Sequence, residues 1–265
     1  MKSIQNDTSI GNKQLRYRKK ERTKKEILTV AEKFYSEKSI NEVLLEDIAE
    51  AAFVSRTTIY NYFKNKDDVL FAVGNKVFKE LNETIVATLP DEFSGKEQVL
   101  FLCAKTFKDG NDNPIILKIL RDTFNHIKNL NLTPESIFEL IVKKIGQSTL
   151  NNFVEDLSPL EDFEFEKYFE EPHFVEFWIQ LQKTGELWLK AIKKGKKDKT
   201  IKNNLEDLSM VLYVTMLING LLSEMELRRI SSNVMGIEEK IITDTTLNLI
   251  ALFLEHNVPS LGNVN

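Results

Sequence analysis

Apolar residues recur at three- and four-residue intervals along this chain, and the pattern predicts helices with no strand signal. Ile27, Ala31, Phe34 and Tyr35 form the inward stripe of a first helix over about Tyr17 to Glu37. Leu45, Ile48, Ala49 and Ala52 form that of a short second one. Phe53-Val54-Ser55 breaks the spacing, and Ser55 is a good N-cap for a third helix, Arg56 to Phe63, with Ile59 and Phe63 inward. Val69, Leu70, Val73 and Val77 lead a fourth, expected to reach about Thr88 before Leu89-Pro90 ends it.

The same spacing continues beyond Pro90. Gly95 to Lys108 reads as a helix broken at Asp109-Gly110, and Asn113-Pro114 opens another with proline in its first turn. Thr133-Pro134-Glu135 is an N-cap start for a helix reaching about Phe153. Glu155 to Glu176 holds nine acidic residues and one lysine, interrupted by Pro159 and Pro172, and is expected to be a loop or loosely helical insertion. Pro172 to Lys194 is a long amphipathic helix carrying Phe174, Phe177, Trp178, Leu181 and Trp188, with Gly195 to Lys199 as its turn. Leu205 to Ile230 is apolar almost all round, so burial on both sides is expected. Gly236 opens a last helix with Ile241, Ile242, Leu249, Leu252 and Phe253.

Charge changes the picture, because it is unevenly placed. The 265 residues carry a net −4, yet residues 1–75 hold 14 basic and 11 acidic side chains against 22 and 29 in the rest. Lys13 to Lys25 alone has eight basic residues and one acid. A basic end on an acidic body suits a protein that lays one face on DNA. A hydrophobic content of 42% with 29% charged residues fits a globular chain with an ample core. The single cysteine, Cys103, excludes an intramolecular disulfide and fits a reducing compartment. The polar N-terminus has no apolar signal core, and the near-apolar run Met210 to Leu222 is too short to span a bilayer. A cytoplasmic protein without membrane contact is expected.

Catalytic chemistry finds no foothold. His126, His173 and His256 are scattered, and none pairs with Cys103 at metal-ligand spacing. There is no phosphate-cradling glycine loop, no HExxH and no GxSxG. Neither enzyme activity, metal nor cofactor is expected.

The two short helices and their tight turn make a helix-turn-helix, whose second helix can enter a DNA major groove. Arg56, Thr57, Thr58, Asn61 and Tyr62 crowd its exposed side, and these residue types bond bases and phosphates. The strings DIAEAAFVS (residues 47–55) and TIYNYFKNK (residues 58–66) resemble the DNA-binding domain of TetR-family transcriptional regulators. The resemblance covers Lys24 to about Val77. Two departures stand out. Phe53 occupies the turn where family members usually carry glycine, and Leu44 and Leu45 stand where they often carry threonine.

The resemblance implies an all-α architecture: a flexible, basic-flanked tail over 1–15, a three-helix DNA-binding domain over 16–75, and a helical effector-binding and dimerisation domain over 76–265. It implies that Arg56, Thr57, Thr58 and Tyr60 face bases, that Thr58, Tyr62 and Lys66 hold phosphates, and that Ser55 and Asn61 complete the reading face. It also implies a homodimer through the last two helices on an inverted repeat in double-stranded DNA, and repression relieved by a small, largely apolar effector. Candidate effector-pocket residues are Phe107, Phe124, Phe177, Trp178, Leu181 and Asn219. An alternative is a helical adaptor whose C-terminal domain binds a protein partner instead. A closed apolar cavity favours the sensor and a solid core favours the adaptor.

Overall fold

The computed structural model describes residues 2–113, 115–129, 172–223 and 238–257, together with Glu139 and Lys143. The described residues form helices without strands: α1 (Lys2–Glu37), a 3-10 turn (Ile40–Glu42), α2 (Leu45–Ala51), α3 (Arg56–Tyr62), α4 (Lys66–Thr88), α5 (Gly95–Asp112), α6 (Ile115–Asn129), α7 (Pro172–Lys197), α8 (Asp207–Ser223) and α9 (Glu239–Glu255). None of the described helices is long and apolar enough to cross a membrane.

Local chemistry sets several of the starts. Ser55 caps α3 and Asn65 caps α4, each side chain accepting a backbone N–H in the first turn. Ser94 and Glu97 form a reciprocal capping box on α5, with the Ser94 N–H donating to Glu97 at 2.8 Å.

Two cores share α4 and α7. One joins the small three-helix domain to the body: Ile27, Ala31, Ile48, Ile59 and Phe63 lie in the same buried cluster as Ile115, Ile119, Phe174 and Phe177. The other holds Val99, Leu102 and Phe107 of α5, Trp188 and Ile192 of α7, Val214 and Ile218 of α8, and Ile250 and Leu254 of α9. Aromatic edges lock the α4–α7 seam. Phe71 meets Phe174 at 5.0 Å between ring centroids, and Phe78 meets Phe177 at 5.3 Å, both edge to face. At the far end α5 and α7 cross backbone to backbone, since a Cβ on Gly95 would lie 1.8 Å from the Gly195 nitrogen.

Several elements differ from their expected bounds. α1 begins at Lys2 rather than about Tyr17, so the stretch expected as a flexible tail is drawn into a helix. Once a helix is nucleated each further residue adds one bond, so a helix begun in the basic run from Lys13 can extend towards the N-terminus. α5 runs through Asp109-Gly110 to Asp112, because Gly110 packs under Leu222 of α8 instead of ending the helix. α7 extends to Lys197, and the left-handed residue of its turn is Lys199, at φ 64°. α8 is buried on one side only within the single chain: Met210, Val214, Ile218 and Leu222 point inward, while Leu208, Leu212, Tyr213 and Met216 are exposed. The expected helix over Thr133 to Phe153, the acidic stretch from Glu155 to Glu171 and the start at Gly236 lie outside the described residues.

Candidate nucleic-acid interface

The reading face is built from the turn between α2 and α3. Ile48 and Ala49 anchor α2, and Ile59 and Phe63 anchor α3, all in the shared core. The chain then reverses through a Schellman arrangement: Val54 N–H donates to Ala49 O at 2.9 Å and Phe53 N–H to Glu50 O at 3.0 Å. That geometry needs a left-handed residue, and Phe53 supplies it at φ 54°. The turn that glycine would make is therefore made by an L-residue, at a steric cost of roughly 1–2 kcal/mol. The Phe53 side chain is 98% exposed, so no packing offsets the strain. Leu44 is the uncapped N-cap of α2 and is exposed, whereas Leu45 is buried. Leu44 thus leaves a helix start without a side-chain cap, while Leu45 contributes to the core.

On α3 the Ser55 hydroxyl accepts the Thr58 N–H at 3.0 Å and pairs with the Thr58 hydroxyl at 2.8 Å. Arg56, Thr57, Tyr60 and Asn61 are exposed on one surface, and Thr58 and Tyr62 are half-buried beside it. Lys66 opens α4 immediately beyond, and the Tyr35 hydroxyl of α1 donates to its carbonyl at 3.1 Å. Burial, then the charge of Asp67, pushes the Tyr35 hydroxyl well up, so it stays a donor. The structure therefore brings Ser55, Arg56, Thr57, Thr58, Tyr60, Asn61, Tyr62 and Lys66 onto a single helix and its flank.

Neighbouring groups were not legible in the sequence. Glu46 of α2 reaches two members of the face: its Oε1 lies 2.7 Å from Arg56 Nη2 and accepts from the Tyr60 hydroxyl at 3.3 Å. Three further contacts tie the small domain to the body. Lys118 Nζ of α6 donates to the carbonyls of Tyr35, Ser36 and Lys38 at 2.9, 3.1 and 3.3 Å, where a cation suits the C-terminus of α1. Lys76 of α4 pairs with Glu32 of α1 at 2.5 Å. His173 Nδ1, in the first turn of α7, lies 2.6 Å from Asp68 Oδ1 of α4. Both side chains are buried, and Asp68 also accepts the Lys64 N–H at 2.9 Å. Burial pushes the Asp68 carboxyl up, but the hydrogen bond and charge of His173, with the Lys64 N–H, outweigh it and hold the carboxyl below its ordinary value. Lys118 had one signal, a single charge inside the apolar run Ile115 to Leu120.

The effector-pocket candidates are not brought together. Phe177, Trp178 and Leu181 pack in or against the first core, and Phe107 lies in the second. Asn219 is half-buried on α8, and the Phe124 side chain lies outside those described. Trp178 Nε1 is buried with no hydrogen-bond partner among the described residues. Gln180 joins Asn82 and Thr184 in a buried network across the α4–α7 seam, with Asn82 Nδ2 donating to the Gln180 carbonyl at 3.1 Å. An open cleft of about 180 Å³ lies instead between Val77, Leu81 and Thr84 of α4, Lys105 and Asp109 of α5, and Ile116 of α6.

Residues 27–73 match the family model described as bacterial regulatory proteins, tetR family. An uncharacterized HTH-type transcriptional regulator of Mycobacterium tuberculosis is 26% identical over 106 residues, 40% of this chain. The match spans about half of that relative, 52% of its length. The fold is similar to the fatty acid degradation regulator FadR of Bacillus halodurans, with a TM-score of 0.56 and 14% identity over 86% of this chain and 94% of that one. It is also similar to the transcriptional regulator FadR of Bacillus subtilis, solved in complex with stearoyl-CoA, with a TM-score of 0.55 and 15% identity over 87% and 98%.

Proposed function

We infer the function of this chain from the domain it carries in residues 27–73, which belongs to the tetR family of bacterial regulatory proteins. It is a cytoplasmic, sequence-specific transcriptional regulator that binds an inverted repeat as a homodimer and acts as a repressor. Residues 16–75 are the DNA-binding domain and 76–265 the effector-binding and dimerisation domain. The observation that carries the reading is α3 itself: a capped helix held by Ile59 and Phe63, with Arg56, Thr57, Tyr60 and Asn61 turned out together. Such a helix fits a major groove, its exposed side chains reading base edges while Thr58, Tyr62 and Lys66 hold the backbone.

The homodimer rests on α8 and α9. Leu212, Tyr213 and Met216 of α8 and Ile241, Leu249 and Leu252 of α9 are exposed in the single chain, although α8 is among its most apolar helices. Large apolar side chains exposed in this number on two helices mark an interface, and a two-fold pairing matches an inverted repeat. The released state is assigned to a small, largely apolar effector; one protein of similar fold is solved with stearoyl-CoA, which shares with such an effector only its apolar acyl chain. The packing of Phe177 and Trp178 within an aromatic cluster favours the second reading, an adaptor whose C-terminal domain binds a protein partner.

Selection of genomic fragments with the purified chain, then footprinting across a salt series, tests both halves. A protected inverted repeat whose affinity falls steeply with salt is expected. Sequence-blind binding overturns the regulator. Arg56→Ala is expected to cost about 1–3 kcal/mol of discrimination at one base pair of the site. An equal loss on all DNA makes Arg56 a phosphate contact instead. Release by long-chain acyl-CoA, followed by fluorescence anisotropy, separates sensor from adaptor.

A further inference from the structure

We propose that Glu46 is a positioning residue that sets the base preference of Arg56, an inference that rests on α3 meeting DNA. The carboxylate is the wrong sign for a phosphate, yet it stands beside the reading face and engages two of its members. Arg56 Nη2 lies 2.7 Å from Glu46 Oε1, the Tyr60 hydroxyl donates to the same oxygen at 3.3 Å, and the guanidinium lies 5.9 Å from the Tyr60 ring centroid. Three side chains from two helices thus form one unit on the surface.

The ion pair is exposed, and such a pair adds little to stability. Its consequence is geometric. An unattached arginine on a helix surface samples many rotamers, whereas a bidentate contact to guanine needs the planar fork presented at one angle. Glu46 takes one corner of that fork, Tyr60 lies beside it, and the remaining N–H donors are left to the groove. Glu46 is itself well placed to act as a reference point. Ile48 and Ala49 bury the far side of α2, and the Val54 and Phe53 N–H bonds back to Ala49 and Glu50 tie it to α3.

Loss of the carboxylate has two effects of opposite sign. Arg56 becomes freer, so preference for the correct base falls. One negative charge leaves the DNA-facing surface, so binding to unrelated DNA rises. A purely structural residue would lower both affinities, and a purely electrostatic one would raise both.

The test uses the full chain. Wild type, Glu46→Gln, Glu46→Ala, Arg56→Ala and the double Glu46→Ala/Arg56→Ala variant are used to select from a random-sequence duplex pool. Their affinities for the selected and a scrambled duplex are then compared, with thermal melts to confirm folding. Glu46→Ala is expected to lower the selected-to-scrambled ratio about tenfold, flattening preference at the positions that Arg56→Ala flattens. The double variant is expected to lose no more than Arg56→Ala alone. Glu46→Gln, whose amide oxygen still accepts from Arg56 and Tyr60, is expected to fall between. An unchanged ratio, losses at other positions, or losses that add in the double variant overturn the proposal. A wild type that selects no sequence overturns the DNA reading beneath it, a result told apart by the first selection alone.

Discussion

The exposed face of α3 and the exposed face of α8 and α9 have opposite chemistry. On α3 the outward residues are Arg56, Thr57, Tyr60 and Asn61, groups that carry donors and acceptors and are satisfied by water when nothing else is present. On α8 and α9 the outward residues include Leu212, Met216, Leu249 and Leu252, which water cannot satisfy. A polar face can wait for its partner without cost, whereas an apolar face of this extent is a liability until covered. The two therefore differ in permanence. DNA engagement is expected to be reversible and salt-sensitive, and self-association to be the resting condition.

The largest expected effect breaks the second face. Leu212→Glu combined with Leu249→Glu places carboxylates in the apolar surface, and burying unpaired charge is costly, so self-association should weaken about a thousand-fold or more. Both positions are exposed in the single chain, so the fold should survive. Sedimentation equilibrium measures it, and an undisturbed dimer would place the interface elsewhere.

The next effect lies on the seam that connects the two faces. Asp68→Ala leaves His173 buried without its carboxylate, and should destabilise the chain by about 3 kcal/mol in urea unfolding. The same pair predicts a pH dependence. Asp68 is held below its ordinary value in the folded chain, so its contribution is fully present above the unfolded carboxylate range of about 4 and disappears as pH falls through the lower folded value. Melting temperature should drop between pH 5 and the acid limit less steeply in Asp68→Asn than in wild type. Parallel curves would remove the pair from the account.

The smallest effect sharpens the first face. Phe53→Gly relieves a left-handed L-residue and should stabilise the chain by roughly 1 kcal/mol, less the gain in unfolded-state freedom. Thermal melts decide the sign. A loss of stability would mean that glycine's added freedom in the unfolded chain outweighs the relieved strain.

Much of the small domain was legible because its determinants are short-range. Ser55 capping α3 and Ile59 and Phe63 inward both follow from residues within a few positions of one another, whereas the left-handed conformation of Phe53 was decided by the fold. The end of α5 departs from its local signal for the complementary reason. Gly110 is a plausible helix breaker when read alone, but Leu222, 112 positions further on, fills the space beside it and the helix continues. The effector candidates show the same limit. Helical spacing identifies Phe107, Phe177 and Trp178 as inward-facing, but it does not say that Phe107 and Phe177 face different cores.

By itself, the sequence determined an all-helical chain, the helix-turn-helix, its Ser55 cap and the residue types on its exposed face, because 3.6-residue periodicity and capping act within a turn or two of helix. Only the tertiary structure decided which distant groups meet: Asp68 with His173, Lys118 with the carbonyl end of α1, Gly95 against Gly195, and Glu46 with Arg56. Those pairings depend on the angle and depth at which helices cross, which many side chains set together, so no single stretch of sequence carries them.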